Sequence, residues 1–177
     1  MFELLIAMTI GAIIVVLGVP SFNGTLDNQR MTSATNEFVM SLNLAKSEAI
    51  KRVAYVSICR TNDGASCTGG ATSWDDGWIV FANATSANLD SIDAEDEVIR
   101  VYPPLRDDLT VTPTGTIAGF ISFRPSGTIG TSAANIAGTL TTCDERGATN
   151  ARGILLESSG QWHVSRDLAH DGAALSC

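Results

Sequence analysis

The sequence predicts an α+β protein in which one long N-terminal helix is packed on an antiparallel β-sheet domain. Three observations carry this expectation. Residues Leu4 to Val19 form a nearly unbroken apolar run. Met31, Ala34, Phe38, Leu42, Ala45 and Ala49 then recur at steps of three and four, the spacing of one helical face. Beyond Arg52 the apolar period moves towards two, and turn residues cut the chain into short segments. A chain of 177 residues is long enough for one domain with a core and an appendage.

The first element covers residues 1–22. It reads LLIAMTIGAIIVVLGV from Leu4, interrupted by Thr9, Gly11 and Gly18. As a helix, Met1 to Pro20 would be roughly 30 Å long, enough to cross a bilayer core. No Lys or Arg precedes the run and no small-residue cleavage site follows it, so it does not read as an ordinary secretory signal. Glu3 is the odd residue. A carboxylate at the edge of a membrane helix either marks a function or sits at headgroup level, near a helix N-terminus that favours an anion. Pro20 lacks an amide proton and is expected to loosen the helix.

The second element covers residues 23–53. Its apolar stripe faces away from Gln29, Arg30, Asn36, Asn43, Lys46, Ser47 and Lys51, and such a stripe asks for a sheet to cover it. The third element, residues 54–177, is a β-rich head. Candidate strands are 54–60, 77–82, 98–102, 109–112, 120–124, 139–143, 153–157 and 161–165. Asn62-Asp63-Gly64, Asp75-Asp76-Gly77, Pro103-Pro104, Pro125-Ser126-Gly127 and Ser158-Ser159-Gly160 punctuate them. Short, closely spaced strands favour antiparallel pairing.

The net charge is −8 and the pI about 4.5, which disfavours generic nucleic-acid binding. The four cysteines form no C-x-x-C pair and make no zinc pattern with His163 and His170. Two disulfides in an oxidising compartment fit an even count. Of the three possible pairings, the favoured one is Cys59–Cys67, closing a short loop, with Cys143–Cys177 clasping the last residue. No nucleophile elbow, phosphate loop or H-E-x-x-H motif is present, so the sequence nominates no catalytic residues and no cofactor. The acidic run Asp90, Asp93, Glu95, Asp96 and Glu97 lacks the spacing of a calcium loop and reads as a solvated face.

The stretch ELLIAMTIGAIIVVLGVPSF resembles the N-terminus of type IV pilins and pseudopilins, with an early Glu, an apolar helix and then a proline. SLNLAKSEAIKR with VSICR, then SWDDGWIVFAN, then ISFRPSGT, resemble the GspH/FimT/FimU family of minor pilins and pseudopilins. Trp74, Gly77, Trp78, Val80 and Phe81 match its W-x-x-G-W-x-V-F strand, and Phe123, Pro125 and Gly127 its F-x-P-x-G turn.

The resemblance implies the pilin fold and a structural rather than enzymatic role. It implies a place in the inner membrane with a periplasmic head, then in the pilus at the cell surface. Expected partners are other minor and major pilins and the inner-membrane assembly platform. It also implies that Glu3 neutralises the N-terminal amine of a neighbouring subunit. Family members carry a basic leader ending in Gly and a methylated residue after it; only Met1 and Phe2 precede Glu3 here, so Phe2 is not assigned that role. The function expected is a minor pilin priming assembly at or near the pilus tip. The alternatives are a GspH-type pseudopilin of type II secretion, or a FimT-like DNA-uptake pilin using Arg146, Arg152 and Arg166. Those arginines alternate with Asp144, Glu145, Glu157, Asp167 and Asp171, which weakens the DNA expectation.

Overall fold

The computed structural model describes residues 2–67 and 73–177, and within the helix all side chains except those of residues 15–23. Helix α1 spans Phe2–Arg52. Pro20 lies in the stretch whose side chains are outside the described residues, and so does the expectation that it loosens the helix.

From Met31 onward the predicted stripe is the core-facing side. Met31, Ala34, Phe38, Leu42, Ala45 and Ala49 are each at most 3% exposed. Polar residues inside this face are neutralised locally. Thr35 donates its hydroxyl to the Met31 carbonyl at 2.7 Å and Ser41 donates to Phe38 at 2.8 Å, bonds back along the helix that satisfy a buried hydroxyl. Alanine and serine at 41, 45 and 49 let the last turns lie close against the strands.

Among the described residues eight strands follow: β1 (Val56–Arg60), β2 (Trp78–Ala82), β3 (Glu97–Tyr102), β4 (Thr110–Gly115), β5 (Phe120–Phe123), β6 (Gly138–Cys143), β7 (Arg152–Leu156) and β8 (Trp162–Ser165). They form not one sheet but two, in the orders β3-β2-β1-β5 and β4-β6-β7-β8, antiparallel throughout. The chain changes sheet between β3 and β4, again between β4 and β5, and again between β5 and β6. Alternation along a strand specifies which face is buried, not which neighbour it pairs with, so sequence pattern leaves this division open.

One core joins both sheets to the helix. Val56, Ile58, Val80, Ile121 and Phe123 of the first sheet and Val111, Leu140, Ile154 and Leu156 of the second meet Phe38, Leu42, Ala45 and Ala49. Each sheet also has an outer face, and each is covered by a segment tied down by a disulfide. Cys59–Cys67 holds a loop over Ile79 and Phe81. Cys143–Cys177 holds the C-terminal segment, whose Ala169 and Leu175 pack on Cys143 and Ala151.

Candidate functional site

The family-like motifs, far apart in sequence, meet around the C-terminal half of α1. Trp74 and Trp78 are fully buried. Trp78 stacks between Phe38 of the helix, ring centroids 3.9 Å apart, and Tyr102 of β3, 5.0 Å away, while Trp74 meets Phe38 edge-on at 6.2 Å. Aromatic stacking adds to the area such large rings remove from water. Gly77 holds φ +118, and a Cβ there would lie 2.8 Å from the Tyr102 carbonyl; the motif therefore needs glycine between its tryptophans. Asp75, read in sequence only as a turn residue, does more. Its carboxylate accepts the Ser73 hydroxyl and the Val111 amide, the latter at 3.1 Å, linking the start of β2 to β4 in the other sheet.

The F-x-P-x-G turn and the Ser158-Ser159-Gly160 turn form a nested pair under the end of the helix. Gly160 holds φ +81, and a Cβ on it would collide with the Gly127 carbonyl. Lys46 of α1 donates to the Gly160 carbonyl at 2.8 Å and lies over the Trp162 ring, 5.4 Å from its centroid. The helix is clamped again at its last turn. Arg52 donates to Glu48 at 2.6 Å and to both Glu97 oxygens at 2.6 and 3.2 Å. These hydrogen bonds hold the Glu97 carboxyl below its ordinary range.

The N-terminal half of α1 has the opposite character. Phe2, Leu4, Leu5, Ile6, Met8, Ile10, Ile13 and Ile14 are all more than half exposed. Thr9 hides its hydroxyl by donating to the carbonyls of Leu5 and Ile6, which leaves the helix surface apolar on all sides. Glu3 sits in the first turn, where backbone amides and the helix dipole favour a carboxylate. Among the described residues no helix has an apolar stretch long enough to cross a membrane; the side chains of residues 15–19, the end of the apolar run, are not among them.

A family model described as "Type II transport protein GspH" matches residues 34–165, from the buried stripe of α1 to the end of β8. The chain belongs to the GspH family. No curated protein sequence matches it significantly. Among solved structures it is similar to the type IV minor pilin FimU of Pseudomonas aeruginosa in two crystal forms. One gives a TM-score of 0.59 at 21% identity, covering 78% of this chain and 90% of FimU. The other gives 0.56 at 20%, covering 76% and 92%. At that identity the likeness establishes the fold, an N-terminal helix followed by antiparallel sheets. The protein is thus a GspH-family chain with the fold seen in FimU, and that family is structural rather than enzymatic.

The remaining candidate residues of this GspH-family chain are placed as follows. Arg146 donates to the Asp144 carboxylate through Nε at 2.9 Å and Nη2 at 2.5 Å, and to Asn28 at 3.1 Å. Burial pushes the Asp144 carboxyl up, but its hydrogen bonds with Arg146 outweigh this and the net shift is downward. Arg152 is half-buried on β7; burial lowers its pKa, and the guanidiniums of Arg166 and Arg146 lower it further. The fold therefore gathers the three arginines near one end of the second sheet, with Arg146 already committed to a carboxylate.

His163 and His170, with Glu157 and Asp167, line a groove on the outer face of that sheet. Thr139 accepts the His170 amide at 2.8 Å. In the acidic segment, Asp96 accepts the amides of Ala84 and Asp93, and Asp93 accepts from the Asn88 side chain. Among the described residues no three His, Cys, Asp or Glu side chains are grouped to hold a metal ion.

Proposed function

We propose that this chain is a minor pilin of a type IV pilus. Residues 1–22 anchor it in the inner membrane before assembly and enter the filament core afterwards. Residues 23–53 and the head, 54–177, remain outside the bilayer. There the chain joins other minor and major pilins, recruited through the inner-membrane platform, in a complex that primes assembly and stays at or near the tip. The observation that carries this reading is the division of α1: an all-round apolar half that its own head leaves exposed, joined to a one-sided half that its head covers. A helix apolar on every side is stable only inside lipid or against other apolar helices.

Glu3 supplies register in this mechanism, by pairing with the N-terminal amine of a neighbouring subunit. An ion pair in an apolar filament core costs desolvation, and breaking it leaves a buried uncompensated charge, so misaligned subunits are penalised strongly. Glu3→Ala is expected to leave the chain folded and in the membrane while abolishing its incorporation into sheared pili. Normal incorporation of Glu3→Ala would overturn this role.

The gathering of Arg146, Arg152 and Arg166 supports a second reading, DNA uptake. It requires a duplex-DNA mobility shift that weakens with salt and is lost when Arg152 and Arg166 are both neutralised.

A further inference from the structure

A β-sheet exposes unpaired backbone groups along its edges, and proteins guard edges not used for binding. Among the described residues the head has four edge strands: β3, β5, β4 and β8. β4 carries Pro113 within its pairing to β6, and proline blocks strand addition. The outer edge of β5 is occupied by the chain's own return, through Gly130 to Ser122 at 2.8 Å and Arg124 to Thr128 at 2.9 Å, with Ile129 bridging Phe123. β3 is interrupted by a bulge opposite Val80 and Phe81.

β8 has none of these guards. It contains no proline, pairs with β7 without a register shift, and among the described residues meets no backbone on its far side. Glu157 donates its amide to the Gln161 carbonyl at 3.0 Å, which sets the phase of the ladder. Gln161, His163 and Ser165 turn their backbone groups towards β7, so Trp162, Val164 and Arg166 turn theirs outward.

The surroundings of this edge are shaped for a side chain. On its helix-facing side lies an open groove of about 520 Å³, lined by Asn43, Lys46, Ser47, Ile50, Gln161 and Trp162. Ile50 is 50% exposed there, and Val164, on the same face of β8 as Trp162, is 47% exposed. The helix-facing side is cationic at both ends, with Lys46 over Trp162 where β8 begins and Arg166 immediately beyond Ser165, next to Arg152. Glu157 and Asp167 line the groove on the sheet's other face. In a chain of net charge −8, the helix-facing side of this edge is locally basic.

We propose that β8 is a strand-pairing edge that receives an extended, acidic-flanked β-strand from another pilin subunit. The incoming strand adds to the four-stranded second sheet, seats an apolar side chain against Ile50 and Trp162, and sets its carboxylates opposite Lys46 and Arg166. Backbone pairing supplies affinity and the flanking charges supply selectivity. The source of the strand rests on the minor-pilin reading; the pairing edge does not.

The test uses the full chain in detergent micelles and a fluorescent peptide of residues 94–102, AEDEVIRVY, as an acidic-flanked strand. A control peptide carries Gln in place of Glu95, Asp96 and Glu97. The acidic peptide is expected to bind saturably and more weakly at high salt, and the control to bind less well. Val164→Pro removes an amide that faces away from β7, so the existing ladder and the melting temperature stay intact while affinity falls about tenfold. Should that variant misfold, Val164→Lys guards the same edge with a charge and is expected to weaken binding likewise. A photo-crosslinking amino acid at position 164 in assembling cells is expected to capture another pilin.

Undiminished peptide binding by a folded Val164→Pro or Val164→Lys overturns the proposal, as does the absence of any pilin crosslink from residue 164 in piliated cells. If Glu3→Ala abolishes incorporation and the Val164 variants do not alter it or peptide binding, the edge is refuted and the minor-pilin reading stands. If the Val164 variants lose peptide binding but Glu3→Ala incorporates normally, the edge stands and the Glu3 register mechanism falls.

Discussion

Both halves of α1 carry many apolar residues, yet the molecule treats them in opposite ways. From Met31 to Ala49 the apolar residues other than Met40, which is exposed, gather on one side, and that side is sealed by two sheets. From Phe2 to Ile14 they fall on every face, and the head covers none of those described. The difference lies in density and period together: the first stretch is apolar at most positions, the second mainly along one stripe. A one-sided stripe can be satisfied by a single layer of strands from the same chain. A helix apolar all round needs a surrounding medium or a ring of other helices.

The strongest way to break this comparison is to remove one side chain from each half. Phe38 stacks on Trp78 and is 1% exposed, so Phe38→Ala should destabilise the head by about 3–5 kcal/mol. Leu5→Ala, at a position 60% exposed, should leave head stability within about 0.5 kcal/mol. Chemical denaturation of the detergent-solubilised chain measures both. A loss of more than 1 kcal/mol on the scale of that assay for Leu5→Ala would show that the halves are not independent.

A smaller effect sharpens the boundary where the buried half ends. The helix closes with an Ala54 amide bonded to the Ala49 carbonyl at 3.2 Å, and Val53 between them adopts φ +55. That left-handed conformation usually falls to glycine, and a β-branched side chain there is strained. Val53 is also 75% exposed, so little packing is lost on its removal. Val53→Gly should stabilise the head by about 1 kcal/mol, seen as a raised denaturation midpoint. An unchanged or lower midpoint would mean that the exposed valine makes a stabilising contact that offsets its strain.

The smallest effect concerns the clamp between the helix end and β3. Hydrogen bonds from Arg52 depress the Glu97 pKa below the ordinary 4.5. A carboxylate with a lowered folded-state pKa contributes stability above its unfolded pKa and loses it as pH falls through the folded value. The contribution of Glu97 should therefore be complete at neutral pH and decline below about pH 4.5. Thermal melts from neutral to acidic pH should show a shallower acid branch for Glu97→Gln than for the natural chain. Parallel curves would remove the clamp from the stability account.

Much of this fold was legible in advance. All eight strands lie within about three residues of segments marked by alternation and turn chemistry, and each residue of the predicted stripe is buried. Cys59–Cys67 and Cys143–Cys177 are the pairs formed. The candidate surfaces were harder to read. Asp75 gave only a turn signal, because its partner, the Val111 amide, is 36 residues away. The exposed β8 edge gave no signal, because edge position depends on which strands pair.

By itself the sequence determined what local physics controls: the length of the helix, the face of its second half that would be buried, and where strands begin and turn. It also determined the uniform apolarity of residues 4–14, since no arrangement of the head could make that surface one-sided. Only the tertiary structure decided that eight strands divide into two sheets, that glycines 127 and 160 nest beneath Lys46, and that β8 is left as an unguarded edge. These are matters of long-range pairing. A strand's residues fix its faces through their alternation, but its neighbours are chosen by how the whole chain fills the space around the helix.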